Sequence, residues 1–173
     1  MALLLAISQT PKTYAAEKLA GSSAALLTNN LNGAQNSDKR VVALQNVFKK
    51  YNSPLTPYAQ YYVKYADKYK VDWKLLPSIS GLESYFGNLL ISGTYNAYGW
   101  GGGYIYFKNW EDGIDTINKA LKENYIEKGA DTVDKIGPIY AEASHWSTAV
   151  KRYMNQINDE YIDLTSKDLS RDL

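Results

Sequence analysis

The sequence has no cysteine and a single histidine, His145. The lack of cysteine excludes disulfides, zinc-thiolate sites and a thiol nucleophile. One histidine cannot form a histidine metal cluster, and nothing in the sequence places a nucleophilic serine against His145 to make a Ser-His-Asp triad. Any catalysis must therefore use carboxylates, tyrosines and backbone groups, and we expect neither a metal nor a cofactor.

The chain also lacks a charge of one dominant sign. Among its 173 residues, 19 are Lys or Arg and 18 are Asp or Glu, which gives a formal net charge of +1. Proteins that bind nucleic acid rely on a concentrated basic face to displace counterions from phosphate, so nucleic acid is not expected as the main partner. The length fits one domain with a modest tail, and we expect a monomer.

The first residues have the composition of a shortened leader. Met1–Ile7 resembles the apolar core of a signal peptide without a basic region before it, and Thr13–Ala16 offers small residues for cleavage. A transmembrane span is excluded there, because it needs about 20 apolar residues. We interpret residues 1–36 as a leader remnant and flexible linker, and 37–173 as the folded domain of a secreted protein. A disordered tail that happens to begin with leucines is the alternative.

Apolar residues recur three to four positions apart over most of the domain, which predicts helices. The predicted helices begin near Ser37, Thr56, Asp72, Asn109, Thr132 and Ser144. In the middle, Tyr104–Phe107 has the composition of a strand and Trp100–Gly103 that of a turn. The sequence therefore predicts a mainly α (α+β) fold with a small β-hairpin lobe.

Glu83 is the most informative residue, because the chain from Ser84 to Trp110 contains no Asp or Glu. It falls in the last turn of a predicted helix, where backbone carbonyls and aromatic neighbours both disfavour ionisation. A raised pKa would keep a proton available near neutral pH, as a general acid for glycosidic cleavage requires. By position alone, an exposed glutamate without chemistry is the alternative.

The residues after Glu83 are rich in aromatics, glycine and one amide. Tyr and Trp rings bind the apolar faces of sugars, while Asn96 and the glycine-rich backbone of residues 99–103 are suited to sugar hydroxyls. The composition thus predicts a sugar groove next to a lone acid.

Three blocks in this region resemble a known family. Leu75–Gly87, with Glu83-Ser84, is similar to the catalytic-helix motif of the lysozyme-like superfamily. Tyr95–Gly101, followed by Phe107 and Trp110, is similar to the Asn-x-Phe-Gly block of family 73 glucosaminidases. Ile139–Ala141 with Trp146 resembles the later Tyr-Ala segment of that family and of lytic transglycosylases.

The resemblance implies cleavage of β-1,4 bonds in peptidoglycan glycan strands or related N-acetylated oligosaccharides, by an enzyme that is secreted or associated with the cell wall. It implies that Glu83 is the acid and that Tyr140 lies near the reaction centre. The substrate-binding residues expected on this basis are Ser84, Tyr95, Asn96, Tyr98, Gly99, Trp100, Tyr104, Glu142 and Trp146.

The chain departs from family 73 in one respect, because the expected second carboxylate is missing from the predicted β lobe. A two-carboxylate glycosidase holds its pair about 5 to 10 Å apart. Glu111 and Asp112 are better placed to favour a helix N-terminus, and Glu142 stays open as a second acid. We favour a single-acid mechanism, in which the acetamido group or the 6-hydroxyl of the substrate replaces the partner.

Two other functions stay open from the sequence. A non-catalytic peptidoglycan- or chitooligosaccharide-binding module could keep the same groove and use Glu83 only as a hydrogen-bond partner. A structural protein could use its many tyrosines as core, although this does not explain why Asn, Gly and aromatics concentrate after Glu83.

Overall fold

Six α-helices form the part of the chain that the computed structural model describes, residues 38–169. Their bounds are α1 Lys39–Lys50, α2 Ala59–Tyr69, α3 Leu75–Ser84, α4 Trp110–Ala120, α5 Val133–Tyr140 and α6 Trp146–Leu169. Short 3₁₀ turns lie at Thr56–Tyr58, Trp100–Gly103 and Ile126–Lys128, and a π turn lies at Leu121–Tyr125. The prediction of a leader and linker in residues 1–36 lies outside the described residues.

The helix starts follow local capping chemistry. The side chain of Asn109 accepts a hydrogen bond from the Asp112 amide at 2.9 Å and so caps α4, as predicted. Thr132 caps α5 in the same way, through the Lys135 amide. α1 begins later than predicted, because the cap is Asp38, whose carboxylate accepts from the Arg40 amide.

The helix α3 lies in the middle of the fold and is buried along most of its length. It packs against α6 on one side and approaches α4 on the other, while α1 packs across α2 and α6. One continuous core of aliphatic and aromatic side chains joins all six helices, with Phe48, Tyr62, Ile79 and Phe86 fully buried near its centre. Glu83 is therefore carried by a rigid element.

The predicted β-hairpin lobe is wrong, although the mainly α class is compatible with the structure. Within residues 38–169 no strand forms. Gly101 and Gly102 have φ angles of 58° and 67°, left-handed values that kink the short 3₁₀ turn of Trp100–Gly103 and bend the chain out of an extended course. Tyr104–Phe107 stays irregular, and its backbone link to the preceding loop is a bond from the Phe107 amide to the Thr94 carbonyl at 2.9 Å. The segment has the side chains of a strand but no partner to pair with.

Candidate functional site

A cleft of about 630 Å³ opens beside the C-terminal end of α3. Its walls come from Glu83, from the loop Asn88–Ile91, and from the loop that carries Asn96, Gly99 and Gly102–Gly103. Among the described residues that line it, Glu83 is the only carboxylate. A second hollow of about 670 Å³ runs along α6 beside His145 and Arg152, but no acid lines it, so it offers no general acid.

The carboxyl group of Glu83 is half-buried and held from one side. Its Oε1 accepts a hydrogen bond from the Trp146 indole Nε1 at 2.7 Å. Burial raises the pKa of Glu83, and the indole hydrogen bond partly offsets this by favouring the charged form. The group lies one residue before the end of α3, where the negative end of the helix dipole also disfavours ionisation.

Gly99 forms the wall directly beside the other oxygen. A Cβ atom at this position would lie 2.8 Å from Oε2 of Glu83, closer than real contacts allow. The backbone of Gly99 also has a φ of 65°, which favours glycine. The lack of a side chain at Gly99 therefore lets the carboxylate reach the cleft.

Tyr140 and Trp146 form an aromatic support behind Glu83. Their rings stack with centroids 4.9 Å apart and an interplanar angle of 28°. The Tyr140 hydroxyl donates to the Tyr98 carbonyl at 2.7 Å. Burial raises the pKa of Tyr140 well above its usual value, and the charge of Glu83 acts in the same direction. Tyr140 thus lies near Glu83, as expected, but its hydroxyl proton already has a partner.

Asn96 has a different task from the predicted one. Its Nδ2 donates to the carbonyls of Trp100 at 2.8 Å and Ile105 at 3.1 Å, and its Oδ1 accepts from the amides of Trp100 and Tyr98. The residue is 2% exposed. Because both amide hydrogens and the oxygen are occupied, Asn96 shapes the wall of the cleft instead of offering its amide to sugar hydroxyls.

Ser84 and Tyr98 are also buried, which corrects their predicted substrate contacts. The Ser84 hydroxyl lies 2.8 Å from the Ala97 carbonyl and accepts from the Gly87 amide at 2.8 Å, so it ties α3 to the loop. Tyr98 is fully buried, with its hydroxyl 3.1 Å from that of Tyr62. Neither side chain reaches the cleft surface.

Other predicted binding residues are spread around the site. Trp146 is 3% exposed, so its ring is not free to stack on a sugar. Trp100 is half-buried against Tyr125 and Tyr140. Tyr95 packs edge-on against Trp110 and is not among the residues that line the cleft. Tyr104 is 75% exposed next to Gly102, at the rim.

The loop Asn88–Ile91 is the part of the site that sequence reasoning missed. Leu89 is 72% exposed, and the tip of Ile91 would lie 3.8 Å from a Cβ at Gly103 across the cleft. Both Nδ2 hydrogens of Asn88 are used on the carbonyls of Tyr51 and Tyr85. The signal that was available is the run Leu89-Leu90-Ile91, which belongs to no helical stripe and so predicts apolar side chains on a loop.

The candidate second carboxylates lie outside the cleft. Glu111 accepts from the Tyr65 hydroxyl at 2.7 Å and lies near the Lys64 ammonium, while Asp112 accepts from the Lys108 amide. Both stand in the first turn of α4, as favoured from the sequence. Glu142 is exposed in a separate hollow between α5 and α6, so its predicted place in the substrate groove is not what the structure gives.

No group of acidic and histidine side chains in residues 38–169 is arranged to hold a metal ion. Of the described helices, none combines the length and the hydropathy that crossing a bilayer requires. Comparison with protein-family models gives no match to this chain, and comparison with curated proteins gives none either. The case for a function therefore depends on the chemistry of the cleft.

Proposed function

We propose that this protein cleaves β-1,4 glycosidic bonds in peptidoglycan glycan strands, with Glu83 as the general acid. The observation that carries the proposal is a half-buried carboxyl group with a raised pKa, placed as the one acid among the described residues that line an open cleft. Such a group holds its proton to a higher pH than an exposed glutamate does and can give it to a leaving oxygen.

The lining of the cleft supports a neutral, amphipathic ligand such as a sugar chain. Apart from Glu83, the lining side chains are amides, aliphatics and glycines. Leu89, Ile91 and Tyr104 expose apolar surface around the opening, which suits the apolar faces of sugar rings. The choice of peptidoglycan among glycans comes from the resemblance of the blocks around Glu83, Asn96 and Tyr140 to the lysozyme-like superfamily.

The single acid supports a mechanism in which the substrate supplies the second group. Glu83 protonates the leaving oxygen as the bond from that oxygen to C1 breaks, and the acetamido oxygen of the substrate bonds to C1. A water molecule then attacks C1, and the bond from C1 to the acetamido oxygen breaks. The proton that the water loses returns to the Glu83 carboxylate. In the transglycosylase variant the 6-hydroxyl bonds to C1 instead, gives its proton to the Glu83 carboxylate and leaves an anhydro sugar end.

The test is to incubate purified peptidoglycan with the wild type and with Glu83→Gln, and to identify soluble products by mass spectrometry. We expect fragments from the wild type and none from the variant, with both proteins still pelleting with the insoluble wall. Binding without cleavage by the wild type would instead favour a carbohydrate-binding module. The new ends identify the bond, because anhydro-muramic, reducing muramic and reducing glucosamine ends each arise from a different reaction.

A further inference from the structure

The contact between Trp146 and Glu83 is chemically asymmetric. An indole Nε1–H donates a hydrogen bond and cannot accept one, so Oε1 of Glu83 must accept in both protonation states. In a neutral carboxyl group the carbonyl oxygen is a stronger acceptor than the hydroxyl oxygen, so the indole contact favours the proton on the oxygen that does not face the indole. That oxygen, Oε2, lies against the Gly99 wall of the cleft.

We propose that Trp146 is a positioning residue that directs the acidic proton of Glu83 onto Oε2, where it faces the bound substrate. The catalytic consequence depends on the proposed function, whereas the placement of the proton does not. No sugar contact by Trp146 is needed, which agrees with the burial of its ring.

The indole is itself held in one orientation. Its ring stacks on Tyr140, whose hydroxyl is tied to the Tyr98 carbonyl at 2.7 Å. The backbone of Gly137, also on α5, approaches the ring so closely that a Cβ added there would lie 3.3 Å from Cε3 of Trp146. Trp146 is also the first residue of α6, so the position of its backbone is set by the longest helix described.

The other groups around Glu83 leave the indole as its main polar partner. From α5 the titratable group that senses the Glu83 charge is Tyr140, whose proton is donated elsewhere. The loop Asn88–Ile91 and the glycines at 99, 102 and 103 bring no charge to the cleft. Burial is accordingly the main influence on the pKa of Glu83, and the Trp146 hydrogen bond is the side-chain contact that opposes it.

This arrangement serves both halves of the acid step. The proton on Oε2 passes to the leaving oxygen as the bond from that oxygen to C1 breaks, and the electron pair of that bond stays with the leaving oxygen. Glu83 becomes a carboxylate, and the Trp146 N–H, already on Oε1, stabilises the new charge. Loss of the N–H should therefore raise the pKa of Glu83 and lower the rate together.

The experiment is to replace Trp146 with Phe, which keeps a ring for Tyr140 and removes the N–H. Carbon-13 NMR of the Glu83 carboxyl across pH should show a higher pKa in Trp146→Phe than in the wild type. The alkaline limb of glycan cleavage should move the same way, with the rate lowered roughly 10-fold or more. Trp73→Phe, a half-buried tryptophan that packs on Tyr161, is the matched control and should leave the pKa of Glu83 unchanged.

A purely structural role for Trp146 predicts a lower rate with the pKa of Glu83 unchanged, and that result would overturn the proposal. If Trp146→Phe does not fold, the wild type still gives an answer. The indole N–H resonance of Trp146 should shift with pH at the midpoint of the Glu83 titration, and this shift should vanish in Glu83→Gln. An indole N–H resonance that does not shift at the midpoint of the Glu83 titration would also overturn the proposal.

These readouts separate the two proposals. If the wild type shows the coupled titration but releases no glycan fragments, the placement of the proton is supported and the proposed function is rejected. If the wild type cleaves glycan but the two titrations are not coupled, the proposed function is supported and the placement of the proton is rejected.

Discussion

The ionised form of Glu83 destabilises the folded protein, because the carboxyl group is half-buried. Its pKa is raised in the folded protein, mainly by burial, so the folded state binds the proton more tightly than the unfolded chain does. The stability that comes from this protonated group is present below the ordinary glutamate pKa of about 4.3 and is lost as pH rises through the folded value.

We therefore expect Glu83→Gln to be as stable as the wild type or more stable at pH 7, and to lose this advantage at about pH 3, where the wild-type group is protonated in both states. The glutamine Oε1 can still accept the Trp146 hydrogen bond. Urea unfolding at the two pH values measures the difference. If the variant is clearly less stable than the wild type at pH 7, the Glu83 carboxylate must have a stabilising partner besides the Trp146 indole.

Gly99 gives a second prediction at the scale of one residue. Gly99→Ala should lower cleavage roughly 10-fold or more, because the new methyl group displaces Oε2. It should also cost about 1 kcal/mol of stability from the positive φ.

Gly93→Ala is the control for Gly99→Ala. Gly93 has a φ of 78°, and a Cβ atom added there would meet no other atom within 4 Å. An alanine at this position therefore has the same backbone strain as one at Gly99 but makes no contact with Glu83. Rates on a soluble glycan fragment and thermal unfolding should separate the two effects. Equal activity losses in both variants would contradict the role given to Gly99.

At the scale of elements, the loop Tyr95–Phe107 is organised by Asn96. Asn96→Ala should destabilise the protein by about 2 kcal/mol or more, because the amide of Trp100 and the carbonyl of Ile105 lose their partner. Chemical denaturation measures the loss, and Asn155→Ala, at an exposed position on α6, should change little. A wild-type midpoint for Asn96→Ala would show that the loop is held by other contacts.

The elements also show which parts of the fold were predictable. Helices with an apolar stripe and a polar cap, such as α4 with Asn109, follow from short-range patterns that the sequence displays directly. The supposed hairpin was wrong because a strand needs a partner, and pairing depends on distant chain geometry. Tyr104 and Ile105 have strand-forming side chains, yet the glycines before them turn the chain away from pairing.

The site was predictable in part for the same reason. Glu83 stood out through the absence of other acids nearby, and Gly99 and Asn96 lie in the cleft wall, within the segment whose composition predicted a groove. The roles of Ser84, Tyr98 and Trp146 depend on contacts between separate elements, and composition does not reveal such contacts. The exposed loop Asn88–Ile91 carries no motif and was found only from the fold.

At the scale of the whole molecule, α1 and α6 are joined at the surface of the core by Glu160. Its carboxylate accepts from Lys50 at 2.7 Å and from the Asn46 amide at 2.8 Å. The hydrogen bond from Lys50 is the main reason that the pKa of Glu160 is lowered. This stability is present above the ordinary pKa and is lost as pH falls through the lowered value, opposite in sign to Glu83.

Glu160→Gln should accordingly cost about 1 kcal/mol at pH 7 and progressively less in acid. Unfolding free energies at several pH values measure the effect, with Asp159→Asn on an exposed neighbouring position as the control. A cost that does not change with pH would mean that packing, and not charge, links Glu160 to α1.

The distribution of acids over the whole molecule bears on the mechanism. Asp115 pairs with Lys68, and Asp134 pairs with Lys151, and neither acid lines the Glu83 cleft. Glu111 and Asp112 lie in the first turn of α4, and Glu142 lies in a separate hollow between α5 and α6. Within residues 38–169, Glu83 is left as the acid of the cleft, which is why we favour a reaction assisted by the substrate.

The central claim is that Glu83 is the acid and works without a second carboxylate. Its most direct test compares rates of peptidoglycan cleavage for the wild type, Glu83→Gln and Glu142→Gln under the same conditions. We predict a loss of about 100-fold or more for Glu83→Gln and near wild-type rates for Glu142→Gln. A loss for Glu142→Gln as deep as that for Glu83→Gln, or an active Glu83→Gln, would contradict the claim.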